Sequence, residues 1–385
     1  MPKSAQLILY LKSLKKLKRI NLIDENHFQN PYNYLNSLRE TSPRAIFLDY
    51  KVFFLYEDVN KILLSPHVFG NNHVLPKCPH AKKLMESFPM GIESKSAHLK
   101  VKKKQIQNFY GSVNYQDLAN SSFKKALNHF STHPEKIEVS AFTKVFSFYV
   151  STKIIDLKLP SNFIDFYDGV VGEHISNLIS RNYFNSKDEL SADQTLKLTP
   201  EFQKSKIYQS FKKEVSLAKE IDVDSLFTFL SFASYNTTKT TVSFVIKYLL
   251  DNNIFLDKVK KIKEKEELFN ISNEFIRLTS PVKFVERLAI EDFVINNFQI
   301  KKNDRLLLCL TSSNRDPLAF ENPTKISFEK RKNTHLSFSK GQYYCTGAQI
   351  SLDVISSLIE NISSVINLFD NKDLIYKKNT FLILS

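Results

Sequence analysis

Cysteine is scarce in this sequence, and the three cysteines among 385 residues are Cys78, Cys309 and Cys345. No pair of them has the spacing of a metal site, and three are too few for the dense disulfide framework of small secreted proteins. Both classes are therefore excluded. The usage fits a reducing compartment, and we expect a cytoplasmic protein.

Long hydrophobic runs are also missing. The first apolar run, residues 7–11, stops at Lys12 and continues into a lysine-rich stretch without a small-residue cleavage site. A membrane-spanning helix needs about 20 apolar residues, so we expect no transmembrane segment. Two interpretations of the run stay open, a solvated surface helix and a basic amphipathic helix that touches a membrane.

Linkers and repeats are absent too. The chain has no Pro/Gly/Ser-rich or low-complexity stretch and no repeat of fixed period, which excludes solenoids and propellers. With 42% hydrophobic residues it has enough apolar side chains for a large core. The sequence therefore predicts a single domain over residues 1–385.

Acidic residues are outnumbered, with 40 Asp and Glu against 54 Lys and Arg, which gives a net charge of +14. This balance is compatible with nucleic acid, an anionic membrane surface or an acidic protein partner. The lysines are spread through helical patterns and form no nucleic-acid-binding signature. We expect no nucleic-acid partner.

The hydrophobic pattern predicts a mainly α-helical protein with small β-sheets. Residues 45–48 and 52–56 read as an early hairpin, and the pattern is mostly helical from there to about residue 280. Residues 222–250 predict one long helix that is apolar on nearly all sides and therefore central. A polar patch at residues 234–241 interrupts it, where a buried helix is usually apolar.

After Pro281 the elements become short. Residues 282–284 and 305–310 predict strands, and a long irregular loop then leads to Cys345. The pattern predicts a helix over residues 348–368 and a final hairpin from residues 374–376 and 381–384.

Two of only seven glycines, Gly341 and Gly347, flank Cys345. A thiolate that binds iron needs backbone donors near its sulfur, close approach of the main chain to a flat macrocycle and a nearby helix N-terminus. The pattern Phe338-x-x-Gly341-x-x-x-Cys345-x-Gly347 resembles the haem-binding loop of the cytochrome P450 family. The resemblance implies the cytochrome P450 fold, haem b (iron protoporphyrin IX) and Cys345 as its iron ligand. The alternative is a lone buried cysteine beside a helix start.

Other motifs occur in the family's order. Glu274 and Arg277, three apart on a predicted helix, resemble the Glu-x-x-Arg pair that supports the family's structure. Residues 314–317, with Phe320 and Pro323, are similar to the family's loop before the haem-binding segment. For the third member of the Glu-Arg triad, Lys330 and Arg331 both remain open.

The resemblance also implies partners for the two haem propionates. Four residues match the family's pattern: His98, Lys102, Arg287 and His335. Lys102 replaces the usual arginine, which keeps the charge but loses the bidentate geometry. Tyr343 stands where many relatives carry His or Arg, and it offers only a hydroxyl.

The polar patch of the central helix, residues 233–238, lies where relatives carry Ala-Gly-x-Asp/Glu-Thr-Thr. The resemblance implies that Thr237 and Asn236 take part in proton delivery to iron-bound oxygen. Asn236 replaces the acid, and Ser234 replaces the glycine that opens the helix. Delivery through water, delivery through a substrate group, a different reaction and a purely structural patch all remain open.

The family's function is haem-thiolate oxidation of a small organic substrate with O2, and secondary metabolism is the expected setting. Its soluble members receive electrons from a ferredoxin or flavodoxin. By family position, Ala233, Thr237, Val282, Phe284 and Phe381 are predicted to face the substrate. A peroxide-driven or oxygen-independent enzyme and a non-catalytic haem-binding accessory protein are the alternatives.

Overall fold

The structure is a computed structural model. It describes residues 17–22, 31–70, 114–131, 136–174, 197–215, 223–370 and 383–384. The chain divides into two compact units. The first comprises Met1–Asn72, Ile276–Cys345 and Tyr376–Ser385, and the second comprises His73–Phe275 and Thr346–Ile375. The single domain over residues 1–385 stays a prediction.

Helices and strands are numbered in chain order over the described residues. The helices are α1 Pro31–Thr41, α2 Tyr56–Leu64, α3 Tyr115–His129, α4 Val139–Ile154, α5 Ile164–Tyr167, α6 Thr199–Phe202, α7 Lys206–Val215, α8 Val223–Asp251, α9 Asn253–Val259, α10 Lys265–Thr279, α11 Leu310–Ser313 and α12 Ala348–Val365. The strands are β1 Lys18–Arg19, β2 Arg44–Phe47, β3 Tyr50–Phe53, β4 Val68–Gly70, β5 Phe284–Ala289, β6 Phe293–Ile295, β7 Phe298–Ile300, β8 Arg305–Cys309 and β9 Ile383–Leu384. A π-helical segment, Asp168–His174, follows α5 directly.

The first unit is built on a mixed sheet. Among the described residues its strand order is β1-β2-β3-β8-β5-β4, and β9 pairs with β5 as well. Strand β3 runs parallel to β8, and β8 runs antiparallel to β5. Because the pairing of β3 with β8 joins residues about 255 positions apart, such as Tyr50 and Arg305, the early hairpin is held by a late strand. Fully buried apolar side chains such as Phe53, Ile62, Leu306 and Leu308 form the core of this unit.

The early hairpin is confirmed, with β2 and β3 joined by a two-residue turn at Leu48 and Asp49. The predicted strand at residues 305–310 is also confirmed as β8. The strand predicted at residues 282–284 begins instead at Phe284 and extends to Ala289. A left-handed residue, Ser280 with φ 41°, and Pro281 turn the chain just before it.

A buried ion pair joins the hairpin to helix α2. Nε of Arg44 donates to Oδ2 of Asp58 at 2.7 Å, and Nη2 donates to Oδ1 at 2.7 Å. The two side chains are 1% and 0% exposed. Nδ2 of Asn296, in the left-handed turn between β6 and β7, adds a bond to Oδ1 of Asp58 at 2.7 Å. This bidentate pair links three elements of the first unit.

The second unit is helical. Its long helix α8, Val223–Asp251, confirms the helix predicted over residues 222–250, and it packs mainly against α4. Phe227, Phe232, Val242 and Leu249 of this helix are fully buried, as expected for a helix that is apolar on nearly all sides. None of the helices in the described part of the chain combines the length and the apolar composition needed to cross a bilayer.

Helix α12 confirms the helix predicted over residues 348–368, except that its last turn, Ile366–Leu368, is a 3₁₀-helix. Only the end of the predicted final hairpin is described, as the short strand β9, which pairs in parallel with β5. Residues 374–376 and 381–382 lie outside the described residues.

Asp58→Asn is expected to destabilise the protein by about 3–5 kcal/mol, because it leaves the buried guanidinium of Arg44 without its counter-charge. The neighbouring exposed pair of Glu57 with Lys61 provides the control, since Glu57→Gln is expected to cost less than about 1 kcal/mol. Urea unfolding of both variants measures the difference. Equal unfolding midpoints would contradict the assignment of the buried pair.

Candidate functional site

The loop that ends at Cys345 is closed by its own backbone. The amide of Cys345 donates to the carbonyl of Phe338 at 2.8 Å, and the amide of Tyr344 donates to the carbonyl of Gly341 at 3.1 Å. Between them, Gly341–Tyr343 form one turn of 3₁₀-helix. Cys345 is half-buried. These bonds fix the position from which its sulfur projects.

Two residues of this loop have a left-handed backbone, Ser339 with φ 58° and Gly341 with φ 65°. A Cβ atom at Gly341 would lie 2.8 Å from the carbonyl oxygen of Leu63, in helix α2. Real Cβ atoms do not come that close to backbone oxygens. The glycine is therefore required both for its φ angle and for the close approach of the loop to α2.

Arg287 of strand β5 lies against the cysteine loop and is 1% exposed. Its Nη2 donates to Oγ of Ser339 at 3.1 Å, and its guanidinium carbon lies 4.5 Å from the centroid of the Tyr343 ring. Burial lowers the pKa of Arg287 to about 10, so it stays a cation at neutral pH. Neither Nε of Arg287 nor the buried hydroxyl of Tyr343 has a hydrogen-bond partner in the structure as described.

Glu274 and Arg277 lie on helix α10 and are 4% and 1% exposed. Nη1 of Arg277 donates to the backbone carbonyls of Asn314 at 2.7 Å and Pro323 at 2.6 Å. Nη2 donates to the carbonyl of Lys325 at 3.0 Å. Arg277 therefore holds the irregular loop through its main chain, so the loop's side-chain sequence can vary without losing these bonds.

The third member of the Glu-Arg triad was open between Lys330 and Arg331. Nη2 of Arg331 donates to the carbonyl of Lys325 at 3.0 Å, so Arg331 and Arg277 share that acceptor. Lys330 is exposed. The geometry favours Arg331.

Asn314 is fully buried and hydrogen-bonds to several parts of the chain. The sequence motif pointed to this residue but could not show its contacts. Its Nδ2 donates to Oγ of Ser280 at 2.8 Å and to Oγ of Ser337 at 2.9 Å, and its Oδ1 accepts from the amide of Leu336 at 2.7 Å. Ser337 in turn donates to the carbonyl of Ile276 at 2.9 Å. One amide thus connects the end of helix α10 to the chain just before the cysteine loop.

These motifs coincide with a match to a known family. A model of the family Cytochrome P450 matches residues 259–360, which contain the Glu274–Arg277 pair and Cys345. The Polyketide biosynthesis cytochrome P450 PksS of Bacillus subtilis (strain 168) is 30% identical over 172 residues, 43% of this chain and 42% of that protein. The Steroid C26-monooxygenase of Rhodococcus jostii (strain RHA1) is 31% identical over 134 residues, 34% of this chain and 28% of that protein. The matched segments span less than half of either relative.

Solved structures match over more of the chain. P450BioI in complex with hexadec-9Z-enoic acid ligated Acyl Carrier Protein has a TM-score of 0.70 and 20% identity, over 88% of this chain and 91% of that one. PksS of Bacillus subtilis 168 has a TM-score of 0.70 and 18% identity, over 89% of this chain and 90% of that one. Residues 259–360 match the cytochrome P450 family, and the chain has the fold of solved cytochrome P450 structures. The predicted fold class, mainly α with small β-sheets in the cytochrome P450 fold, is confirmed.

Haem b is the cofactor of cytochromes P450, and the residues of this chain fit it. The cysteine thiolate, as Cys345 can provide, is the donor type that binds haem iron in cytochromes P450. Buried polar groups are normally hydrogen-bonded, and the unpaired donors of Arg287 and Tyr343 suit a carboxylate such as a haem propionate. The hydroxyl of Tyr343 supplies a donor where relatives carry His or Arg.

His335 and Phe338 precede the cysteine and lie side by side, with ring centroids 5.2 Å apart. Nδ1 of His335 accepts from the amide of Ser337 at 3.2 Å, which leaves Nε2 as the protonated nitrogen of the neutral ring. Gly347 is the N-cap of helix α12. The haem-binding roles of these three residues stay predictions, and His98, Lys102 and Phe381 lie outside the described residues.

The polar groups in the patch of helix α8 make local hydrogen bonds. The hydroxyls of Ser234 and Thr237 donate to the carbonyls four residues earlier, Leu230 and Ala233. Ser234 also lies 2.8 Å from Oγ of Ser151 on helix α4. Serine and threonine are therefore tolerated in this buried helix because the backbone accepts their protons.

Asn236 contacts the π-helical segment. Its Nδ2 donates to the carbonyl of Val171 at 2.9 Å. The hydroxyl of Tyr235 donates to Oδ1 of Asp168 at 2.7 Å, and the same oxygen pairs with the ammonium of Lys239. Burial, together with Asp168, raises the pKa of Tyr235 far above its usual value, so its phenol stays neutral and donates.

Sequence reasoning missed Asp168, Tyr235 and Lys239. One signal was available, because Gly169 and Gly172 are two of only seven glycines and π-helical segments often occur at functional sites.

The residues predicted to face a substrate lie in different environments. Ala233 and Thr237, four apart on helix α8, are half-buried and share a helix face. Val282 packs on the core of the first unit, and Phe284 is fully buried on strand β5. Side chains alternate along a strand, so Phe284 points away from the face that carries Arg287. All four assignments stay predictions.

Gly341→Ala is expected to destabilise the protein by about 1–3 kcal/mol and to weaken haem retention, because it strains φ and moves the cysteine loop off Leu63. Gly169→Ala is the matched control, since a Cβ there meets no heavy atom within 4 Å. Thermal unfolding and haem-to-protein absorbance ratios measure both. Equal effects of the two substitutions would refute the steric argument.

Proposed function

We propose that this chain is a haem-thiolate monooxygenase that oxidises a small organic substrate with O2 and electrons from a redox partner. The observation that carries the proposal is the closed loop that ends at Cys345, together with two buried donors without partners, Nε of Arg287 and the hydroxyl of Tyr343. When bound, haem b supplies the activation of O2 in this family.

The chain's own residues have separate tasks in this proposal. Cys345 binds the iron, and its backbone amide is held by Phe338 so that the sulfur is positioned before the cofactor arrives. Arg287 and Tyr343 hold a propionate. Arg277 positions the loop through backbone carbonyls, with Glu274 as its structural partner, and neither residue touches the reacting atoms.

Proton delivery falls to Thr237, with Asn236 as a positioning residue. Asn236 cannot transfer a proton as a carboxyl does. One of the two hydrogens on its Nδ2 is engaged with the carbonyl of Val171, which leaves the second hydrogen and the amide oxygen to orient a water. This engagement also favours the second candidate, a peroxide-driven or oxygen-independent haem-thiolate enzyme, because such reactions need fewer delivered protons. A non-catalytic haem-binding accessory protein is the third candidate.

We further propose a ferredoxin or flavodoxin as electron donor, since these proteins are acidic and the chain carries a net charge of +14. We expect the donor to meet a basic surface formed by Lys103, Lys104, Arg331, Lys332 and Lys340. Of these residues, Lys332 is exposed. Arg331 is occupied with backbone carbonyls, and burial lowers the pKa of the half-buried Lys340. Lys103 and Lys104 lie outside the described residues.

The metabolic setting that we propose is secondary metabolism. Its support is the name of one relative, the polyketide biosynthesis enzyme PksS.

Cys345→Ala is expected to abolish the red-shifted absorbance band of the thiolate–iron–carbon monoxide complex, because no sulfur then reaches the iron. Cys309→Ala is the control, since Cys309 is fully buried on strand β8 and burial raises the pKa of its thiol to about 12. Spectra of the reduced, CO-treated proteins test the proposal. A parent protein that lacks the band would refute the proposed function.

Thr237→Ala is expected to lower the product formed per electron pair by roughly tenfold or more if Thr237 delivers protons in an O2-dependent reaction. Thr240→Ala is the matched control, because Thr240 lies on the same helix and makes the same type of bond to a carbonyl four residues earlier. Product and electron-donor consumption are measured together. Equal coupling in both variants would favour the peroxide-driven or oxygen-independent candidate.

A further inference from the structure

Strand β5 carries two buried cations on one face. Side chains alternate along a strand, which puts Lys283, Val285 and Arg287 on the same side. Lys283 precedes the strand by one residue, and its carbonyl continues the ladder by accepting from the amide of Leu310 at 2.8 Å. Lys283 is 6% exposed and Arg287 is 1% exposed. This face therefore has two positive charges within five residues.

The neighbouring acid of the strand does not neutralise them. Glu286 lies on the opposite face, where its Oε1 accepts from the hydroxyl of Tyr50 at 2.9 Å and from Nη2 of Arg305 at 3.2 Å. Its charge is thus paired with Arg305. The two faces of β5 therefore differ. One carries Glu286, which forms an ion pair with Arg305, and the other carries Lys283 and Arg287, for which no ion pair is seen among the described residues.

The ammonium of Lys283 has no hydrogen-bond or ion-pair partner within the ranges that the structure describes. Its titratable neighbour is Cys309, and burial raises the pKa of that thiol to about 12, so the thiol is neutral. Burial lowers the pKa of Lys283 to about 8, and the amine is still mostly protonated at pH 7. A buried ammonium without a counter-charge lowers the stability of the fold.

We propose that Lys283 is the cationic partner of a bound carboxylate. The inference rests on the proposed function, which supplies two sources of that group: a haem propionate and a carboxylate of the organic substrate. Four residues of strand separate the backbones of Lys283 and Arg287 by about 13 Å. One carboxylate is too small to bridge that distance, so a propionate bound by Arg287 leaves Lys283 for a second anion.

The substrate class that follows is an organic acid with an apolar body. Lys283 is 6% exposed and its neighbour on the same face, the apolar Val285, is 7% exposed, so an anion there is desolvated and needs the ammonium to offset the cost. An uncharged analogue of the same size lacks the charge–charge attraction to Lys283 and binds less tightly. Discrimination between acid and amide is therefore the property to measure.

The test uses the purified holoenzyme and a series of straight-chain carboxylic acids, each matched with its primary amide. Spin-state absorbance titrations give the affinities. The parent is expected to bind an acid about tenfold or more tightly than its amide, Lys283→Met is expected to remove that preference, and Lys283→Arg is expected to keep it. Lys302→Met, at an exposed lysine of the same unit, is the control and is expected to change nothing.

A second arm distinguishes the source of the carboxylate. Transfer of haem to an acceptor protein is faster in Lys283→Met than in the parent if the anion is a propionate, and unchanged if it belongs to the substrate. Thermal unfolding without ligand is expected at an equal or higher temperature for Lys283→Met, because an unpaired buried charge has been removed.

The inference is overturned if Lys283→Met changes neither acid preference nor haem transfer, or if it lowers the unfolding temperature without changing haem transfer, as the loss of a structural lysine would. The absence of the thiolate band in the parent instead overturns the proposed function, so the two failures are separable.

Discussion

The cysteine loop of the first unit depends on the hydrogen bonds that the side chains of Arg277 and Asn314 make. Arg277 holds the carbonyl of Asn314, and the side chain of Asn314 holds the amide of Leu336 and the hydroxyl of Ser337. The chain then needs only the turn from Ser339 to Gly341 to reach Cys345. Each buried donor in this set of contacts is hydrogen-bonded to a buried acceptor. Removing one member therefore leaves its partner buried without a hydrogen bond, which destabilises the fold. The cysteine is therefore positioned by polar contacts that involve no cysteine chemistry.

Much of this architecture could be predicted from the sequence. Apolar periodicity located the central helix within one residue at each end, because the helix is apolar on nearly all sides on both flanks of its polar patch. The cysteine loop was recognisable because glycine is scarce, and Gly341 is required by φ and by contact with Leu63. The start of β5 was misplaced, since Ser280 and Pro281 determine it through backbone conformation that a hydrophobic pattern does not encode.

The partners of the recognised residues could not be predicted in the same way. Arg277 was visible as one half of a pair, but its acceptors are the carbonyls of Asn314, Pro323 and Lys325, and carbonyls have no sequence signature. The same holds for Lys283, which looks like any other lysine in a basic chain until the strand pairing buries it. Function in such cases depends on which side of a strand a residue occupies, and one residue of register reverses that side.

The asparagine at position 236 is best understood from the bond that it makes. A carboxylate cannot donate to the carbonyl of Val171, whereas an amide donates to it at every pH. Beside it, Tyr235 and Lys239 both direct hydrogens at Asp168, so the acidic oxygen on this side of helix α8 comes from the π-helical segment. The departure from the family's acid therefore has a local cause, since Asn236 ties α8 to a segment that already carries the negative charge. A carboxylate at 236 would lose that bond and add a second negative charge near Asp168, which already pairs with Lys239.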